Sequence, residues 1–247
     1  MLEEIANIAK NCRRAAVLTG AGISAESGVP TFRGKEGLWG KFRAEELATM
    51  DAFMANPKIV WEWYNWRREL IGEVEPNRGH YALVELGRFF DDYTLITQNV
   101  DNLHRLAGST EVLELHGNIL RNKCVRCNRI VAETVEIDPD NIPACPSCGG
   151  KLRPDVVWYG EMLPEGVIHE AFRKSEASDI FFSVGTSAIV HPAASLPLSA
   201  KRSGAVLVEI NPERTPLTDI ADYYVAGKSG ELLPELVNLL DQLSAGD

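Results

Sequence analysis

Apolar and polar positions along this chain fall into blocks of two kinds. Residues 2–13 place Ile5, Ile8, Ala9 and Cys12 at the spacing of one helix face, and Ala15, Ala16, Val17, Leu18 and Thr19 follow as a short run stopped by Gly20. The pattern predicts a helix, a buried strand and a glycine turn. Similar runs recur over residues 93–97, 112–115, 179–185, 205–211 and 223–226, mostly separated by enough chain for a crossover helix. Strands that are apolar throughout and fed by helices predict a parallel sheet covered on both faces. Leu232, Leu233, Leu236, Val237, Leu239, Leu240 and Leu243 form one stripe of a final helix, entered after Gly230.

Two stretches break this alternation. Residues 31–78 hold no good strand candidate but four of the five tryptophans, and residues 119–153 hold four cysteines with Pro139 and Pro143. Both read as insertions. The expected fold is therefore α/β: a Rossmann-like sheet domain from residues 1–30, 79–118 and 154–247, and a small domain made of a helical module (31–78) and a zinc-binding module (119–153). A cleft between the two would open at the carboxyl edge of the sheet, where open α/β sheets bind ligands.

The cysteines supply the first chemistry. Cys124, Cys127, Cys145 and Cys148 form two C-x-x-C knuckles, and a spacer of roughly 15–20 residues lets such knuckles converge on one tetrahedral metal. Four thiolates close the coordination sphere, which predicts one structural Zn2+ with no catalytic water. A redox dithiol pair is the rival reading. A disulfide framework would need an oxidising compartment, whereas the first residues carry Glu3 and Glu4 where a signal peptide is basic, and no apolar run is long enough to span a bilayer. A cytoplasmic location is expected. Cys12 reads as a small buried apolar residue.

The chain has 247 residues, 45% of them apolar, enough for a core that does not depend on the metal alone. A formal charge of −10 argues against a broad grip on phosphate backbones, so direct nucleic-acid binding is not expected. The local cationic run Arg121, Lys123, Arg126 and Arg129 reads as a solvated face, or else as a docking patch for an acidic partner.

After the first predicted strand comes Gly20-Ala21-Gly22-Ile23-Ser24-Ala25. A G-x-G-x-x-A start between a strand and a helix is the setting in which a loop lets a pyrophosphate approach backbone N–H groups. A hydride-transfer domain would continue into a second strand ending in an acidic residue about 20 residues on. Here the tryptophan-rich insertion intervenes, so a dinucleotide would be held in another way, with Thr31-Phe32-Arg33 available to cover it.

Taken in order, GAGISAESGVPTFRG (residues 20–34), QNVDNLH (98–104), LHG (115–117), the four cysteines, RPDVVWYGE (153–161), GTS (185–187) and NPE (211–213) resemble the sirtuin family of NAD-dependent protein-lysine deacylases over nearly the whole chain. The resemblance implies NAD as a consumed co-substrate, its pyrophosphate on Gly20, Ala21 and Gly22, Phe32 and Arg33 over the ribose and phosphate, and its adenosine half near Gly185, Thr186, Ser187, Asn211, Glu213 and Ser229. It places Gln98, Asn99 and Asp101 in the nicotinamide-ribose pocket. The acyl oxygen would attack the anomeric carbon and form an alkylimidate, His116 would act as general base through the ribose hydroxyls, and Asn99 would share the catalytic work. Products would be nicotinamide, free lysine and O-acyl-ADP-ribose. The acylated-lysine protein or peptide would bind as an added strand along residues 155–161, the Val157 carbonyl accepting from the acyl-lysine amide; from composition alone this is equally an ordinary core strand. His80, His104, His169 and His191 gain no support as catalysts.

The usual Asp before Phe-Arg is Thr31 here, and Tyr64 and Arg67 fall on one helix face at i and i+3. A phenol and a guanidinium together bind a carboxylate. This pair, with Ala44 as a small pocket residue, resembles the subgroup that removes negatively charged acyl groups, implying activity on succinyl-lysine, on malonyl- or glutaryl-lysine, and some on acetyl-lysine. Two other functions remain: a mono-ADP-ribosyltransferase using the same NAD site, and a zinc-ribbon nucleic-acid adaptor.

Overall fold

A computed structural model describes residues 1–29, 44–131, 138 and 140–245, with only the backbone of Ala44 and Glu45. In chain order its elements are α1 (Leu2–Ala9), β1 (Arg14–Thr19), α2 (Ala21–Ala25), α3 (Ala44–Leu47), α4 (Met50–Ala55), α5 (Pro57–Gly72), α6 (Arg78–Leu86), β2 (Asp92–Thr97), α7 (Leu103–Leu106), β3 (Val112–Glu114), β4 (Gly117–Cys124), β5 (Ile130–Val131), β6 (Leu152–Val156), α8 (Glu165–Ala177), β7 (Ile180–Val184), α9 (Leu196–Arg202), β8 (Val206–Asn211), β9 (Tyr223–Ala226) and α10 (Ser229–Ala245). Short 3-10 turns follow α6 and precede α9.

Six strands form one parallel sheet in the order β3-β2-β1-β7-β8-β9. Alternate side chains of β1 enter opposite cores, as a strand's two-residue period requires. Ala15 and Val17 pack with Ile5, Leu83 and Leu236 from α1, α6 and α10, while Ala16 and Leu18 pack with Ala171, Leu196 and Ala200 from α8 and α9. The sheet is thus covered on both faces, which explains why β1, β7 and β8 read as apolar runs. The order reverses between β1 and β7. That switch point opens a crevice beyond the carboxyl ends of these two strands.

The chain between β1 and β2 contributes α2 to α6, and the chain between β3 and β7 contributes a three-stranded sheet, β5-β4-β6. Asn56 caps α5 by accepting from Ile59 N, with Pro57 at the first helical position, where its missing N–H costs nothing. The buried face of α5 (Val60, Trp61, Trp63, Tyr64) shares a core with Phe53, Ile119, Val156 and Trp158. Trp61 Nε1 donates to Leu152 O at 3.2 Å, and Arg68 donates to Ile119 O at 2.7 Å and to Asn122 Oδ1 at 2.8 Å. Helices α3 to α5 of the first insertion and the small sheet of the second therefore share one core.

Two local expectations change. α1 ends at Ala9, and Cys12 lies beyond it, half-buried, its thiol 3.4 Å from Ile8 O. Of the cationic run, Arg121 is internally paired, bridging Glu114 at 2.8 Å and Asp155 at 3.0 Å, whereas Arg126 and Arg129 are exposed, Arg126 donating to Cys148 O at 2.9 Å and Arg129 to Ser147. Among the described residues no helix is long and apolar enough to cross a membrane.

Candidate active site

Five of the seven motifs picked out in the sequence sit at or just past the carboxyl end of a strand of the parallel sheet. Gly20-Ala21-Gly22 follows β1, Gln98 to Asp101 follow β2, His116 lies two residues past β3, Gly185-Thr186-Ser187 follows β7, and Asn211 ends β8. Parallel strands bring all five to one edge of the sheet.

The glycines provide clearance. A Cβ on Gly22 would lie 2.7 Å from Gly185 O, one on Gly20 2.8 Å from the same oxygen, and one on Gly185, whose φ is +58°, 2.6 Å from Ile23 N. Only glycine lets these two loops meet backbone to backbone. Gly20 N donates to Val184 O at 3.1 Å and Gly22 N to Gly185 O at 2.8 Å, so both N–H groups hold the loops together. What the loops offer a large anion is close approach. Gln98 Nε2 donates to Thr186 Oγ1 at 3.1 Å, and Asn211 Nδ2 to Glu213 O at 2.9 Å. Ser229 is buried, its hydroxyl donating to Glu26 Oε1 at 2.8 Å, which also accepts from Gly230 N at 2.9 Å. That side chain is engaged in anchoring the start of α10. Phe32 and Arg33 lie outside the described residues, as does the Ala44 side chain.

His116 Nδ1 is 2.8 Å from the Gln98 carbonyl oxygen. A carbonyl only accepts, so Nδ1 carries the proton and the neutral ring keeps a lone pair on Nε2. Burial lowers the pKa of this imidazole, opposed by the bond to Gln98 O, so the neutral form prevails at neutral pH.

Asn99 is held from three sides. Its N–H donates to Thr97 Oγ1 at 3.0 Å, and its amide donates to Gly20 O at 3.0 Å and to Ser24 Oγ at 3.1 Å. Ser24 in turn donates to Asp101 Oδ2 at 2.7 Å, whose other oxygen accepts from Leu103 N at 3.0 Å. Burial raises the Asp101 carboxyl above its ordinary range, opposed by these bonds and by the charge of Arg67. Asn99, Asp101, Ser24, Trp63, Arg67 and Ile71 line a cavity of about 280 Å³.

Arg67 and Tyr64 share the inner face of α5 and are 5% and 0% exposed. Arg67 reaches the cavity. Tyr64 stands behind it, its hydroxyl accepting from Trp158 Nε1 at 2.8 Å and bonded also to Arg67. The Arg67 guanidinium lies 4.9 Å from the Trp63 ring centre and 5.4 Å from that of Tyr64. Burial lowers its pKa, opposed mainly by Tyr64 and Asp101.

The segment expected to be a strand over residues 155–161 is one only in part. β6 ends at Val156, and Val157 N donates to His116 O at 2.9 Å. Beyond it Trp158 N bonds Glu161 Oε2 at 2.9 Å, Tyr159 N bonds Ala48 O at 3.0 Å, and Gly160 turns at φ +83°.

The four cysteine sulfurs lie within 4.8 Å of one another, with Cys124 and Cys148 3.4 Å apart and Cys127 and Cys145 3.8 Å apart. A tetrahedron with Zn–S bonds of about 2.3 Å has edges of about 3.8 Å. Arg126 N donates to Cys124 Sγ at 3.3 Å, and a Cβ on Gly150 would lie 2.9 Å from that sulfur. Backbone donors aimed at sulfur and a glycine cleared beside it fit a thiolate-bound zinc, which Cys124, Cys127, Cys145 and Cys148 would hold with no open position. The site is far in kind from a catalytic metal centre; it organises β4 and the loop before β6.

The sequence reading left Ser24, Thr19, Thr97, Glu26 and Trp158 without roles. Ser24, Glu26 and Trp158 stood inside motifs already singled out. The two threonines are ordinary strand residues whose hydroxyls matter only once β1 and β2 pair.

The Sir2 family profile matches residues 20–192. A curated relative from Pyrococcus abyssi, an NAD-dependent protein deacylase, is 49% identical over 98% of this chain and 99% of its own. A solved Sir2 homolog–NAD complex superposes with a TM-score of 0.91 at 47% identity, covering 98% of this chain and 94% of that one. A Sir2 bound to acetylated peptide superposes at 0.83 and 32% identity, covering 96% and 98%. With a profile match across most of the chain and near-full-length relatives at about half identity, this protein belongs to the Sir2 family.

Proposed function

We propose that this protein is an NAD-dependent protein-lysine deacylase that releases nicotinamide, free lysine and O-acyl-ADP-ribose. The observation that carries this is the His116–Gln98 pair: a neutral imidazole with its lone pair fixed on Nε2, bonded to the carbonyl of the residue before Asn99 where the parallel strands end. The relative crystallised with NAD and the one bound to an acetylated peptide support the same reading. NAD supplies a ribose carbon made electrophilic as nicotinamide leaves. Gly20, Ala21 and Gly22 take its pyrophosphate, Phe32 and Arg33, outside the described residues, are assigned to the ribose and phosphate, and Gly185, Thr186, Ser187, Asn211, Glu213 and Ser229 to the adenosine half. Gln98 and Asp101 hold the nicotinamide end, Asn99 orients the ribose, and His116 takes the ribose hydroxyl proton.

The acyl group is chosen by Arg67, with Tyr64 bracing it and Ala44 leaving room. A fixed cation in the cavity that holds Asn99 favours succinyl-, malonyl- or glutaryl-lysine over acetyl-lysine. The acylated peptide lies along residues 157–161, accepted by the Val157 carbonyl. Residues 31–78 and 119–153 act as the small domain against the sheet domain, and the enzyme works in the cytoplasm without membrane or nucleic acid. Mass spectrometry of NAD products over a panel of acyl-lysine peptides tests the reading. O-acyl-ADP-ribose is expected; ADP-ribose attached to protein would replace it with transferase activity.

A further inference from the structure

Val157 and Met162, in and beside the stretch assigned to the peptide, also line a second cavity of about 220 Å³ built on β4 and β6. Its charged residues are Lys123, Arg153, Asp155 and Glu161. Three of these four are already paired. Arg153, 3% exposed, donates to both oxygens of Glu161, at 2.7 and 2.9 Å. Arg121 bridges Asp155 at 3.0 Å and Glu114 at 2.8 Å, and Glu114 is shared with Arg105 at 3.0 Å, so two cations offset two carboxylates. Lys123 is half-buried, has no ion-pair partner among the described residues, and acts on Asp155 only through space.

Strand register sharpens the imbalance. Lys123 and Arg153 stand directly opposite each other in the β4–β6 ladder, and like charges so placed repel. Glu161 relieves Arg153, whereas no described carboxylate does the same for Lys123. A chain whose net charge is −10 thus keeps one uncompensated positive charge in a cavity beside its proposed peptide site. We propose that Lys123 reads the substrate sequence: an Asp or Glu flanking the acyl-lysine places its carboxylate in this cavity, against the Lys123 ammonium. The inference rests on the deacylase reading and deepens it by naming the substrate class, acyl-lysines in acidic sequence. Main-chain bonds to an added strand carry little sequence information, and pockets beside the strand supply it through alternate side chains. Because Lys123 is half-buried, the preference should be about 2- to 5-fold, the size of an ion pair in contact with water.

Peptides that carry Asp, Asn or Lys at one position on either side of a single acetyl-lysine test this with the intact protein at saturating NAD. Acetyl-lysine keeps a carboxylate away from Arg67, so any charge effect comes from the flanking residue. On wild type, Asp should exceed Asn in kcat/KM by about 2- to 5-fold at one or more flanking positions, and the advantage should shrink as salt is raised. Lys123→Arg should keep the preference, Lys123→Gln should erase it, and Lys123→Glu should reverse it to Lys over Asp. Each preference is a ratio of two peptides on one enzyme, so it is independent of folded fraction and of zinc loading, which matters because Lys123 precedes Cys124. Equal rates for Asp and Asn peptides on wild type, or a preference that Lys123→Gln leaves intact, overturns the inference. Wild type inactive on every peptide would instead refute the deacylase reading.

Discussion

The Trp158 indole N–H points at the Tyr64 hydroxyl from 2.8 Å, joining the turn after β6 to the buried face of α5. Tyr64 is fully buried, so its phenol serves the interior as well as any ligand. Tyr64→Phe strands that N–H. Unfolding in urea should show a loss of about 1–3 kcal/mol, the cost of an unsatisfied buried donor; an unchanged midpoint would mean that the indole finds another acceptor.

Arg67→Met removes the one cation lining the cavity among the described residues. Loss of a buried charge partner costs about 2–5 kcal/mol, or on the order of 30- to several-thousand-fold. Succinyl-lysine should lose kcat/KM on that scale, while acetyl-lysine, without a carboxylate, should lose far less. Equal proportional losses on the two peptides would reduce Arg67 to a support of α5.

His116→Ala should lower deacylation by roughly 10²–10⁴ with NAD binding kept. In wild type the acid limb of kcat/KM should fall below the ordinary histidine value of about 6.5, because burial lowers this imidazole. The profile should be flat at neutral pH, and the limb should vanish in the variant. A limb above pH 7 would contradict the burial of His116.

His80 and His104 also tie stability to pH. Their folded pKa values are depressed to about 4 and about 3, so the unfolded chain binds more protons. Their contribution is complete above about pH 6.5 and disappears as pH falls toward 3, at up to about 1.4 kcal/mol per pH unit for each ring. Chemical denaturation from pH 7 to 4 should show a steeper decline in wild type than in His80→Gln. Parallel curves would assign the acid loss to carboxylates.

Gly150→Ala would drive a methyl to 2.9 Å from Cys124 Sγ and 2.8 Å from Arg126 Cβ. Zinc content and activity should fall together, as they should in Cys145→Ala, because β4 begins one residue after His116. Full activity in zinc-free protein would separate the metal from the fold.

Much of this was legible in the chain. β1, β7 and β8 are apolar on both faces because helices cover both, and α10 shows its stripe because one side meets the sheet. β4 was hidden: Gly117–Cys124 mixes Asn118, Arg121, Asn122 and Lys123 with Ile119 and Leu120, and Asn118, Arg121 and Asn122 are held by internal partners that no periodicity displays. Helical spacing put Tyr64 and Arg67 on one face, but only the packing of α5 on the small sheet shows that face to be buried. The His80–His104 contact joins α6 to α7 across the fold, a pairing that local pattern does not encode.

Gly117 follows His116 with φ +81°, and a Cβ there would lie 2.1 Å from Asp155 O. It is the first residue of β4, so the imidazole before it belongs to the seam between the parallel sheet and the small one. Val157 N closes the same seam from the other side by bonding His116 O. On the roles proposed for His116 and Val157, a change in the angle between the two sheets would re-aim the base and shift the peptide-binding backbone in one movement, with this glycine at the joint.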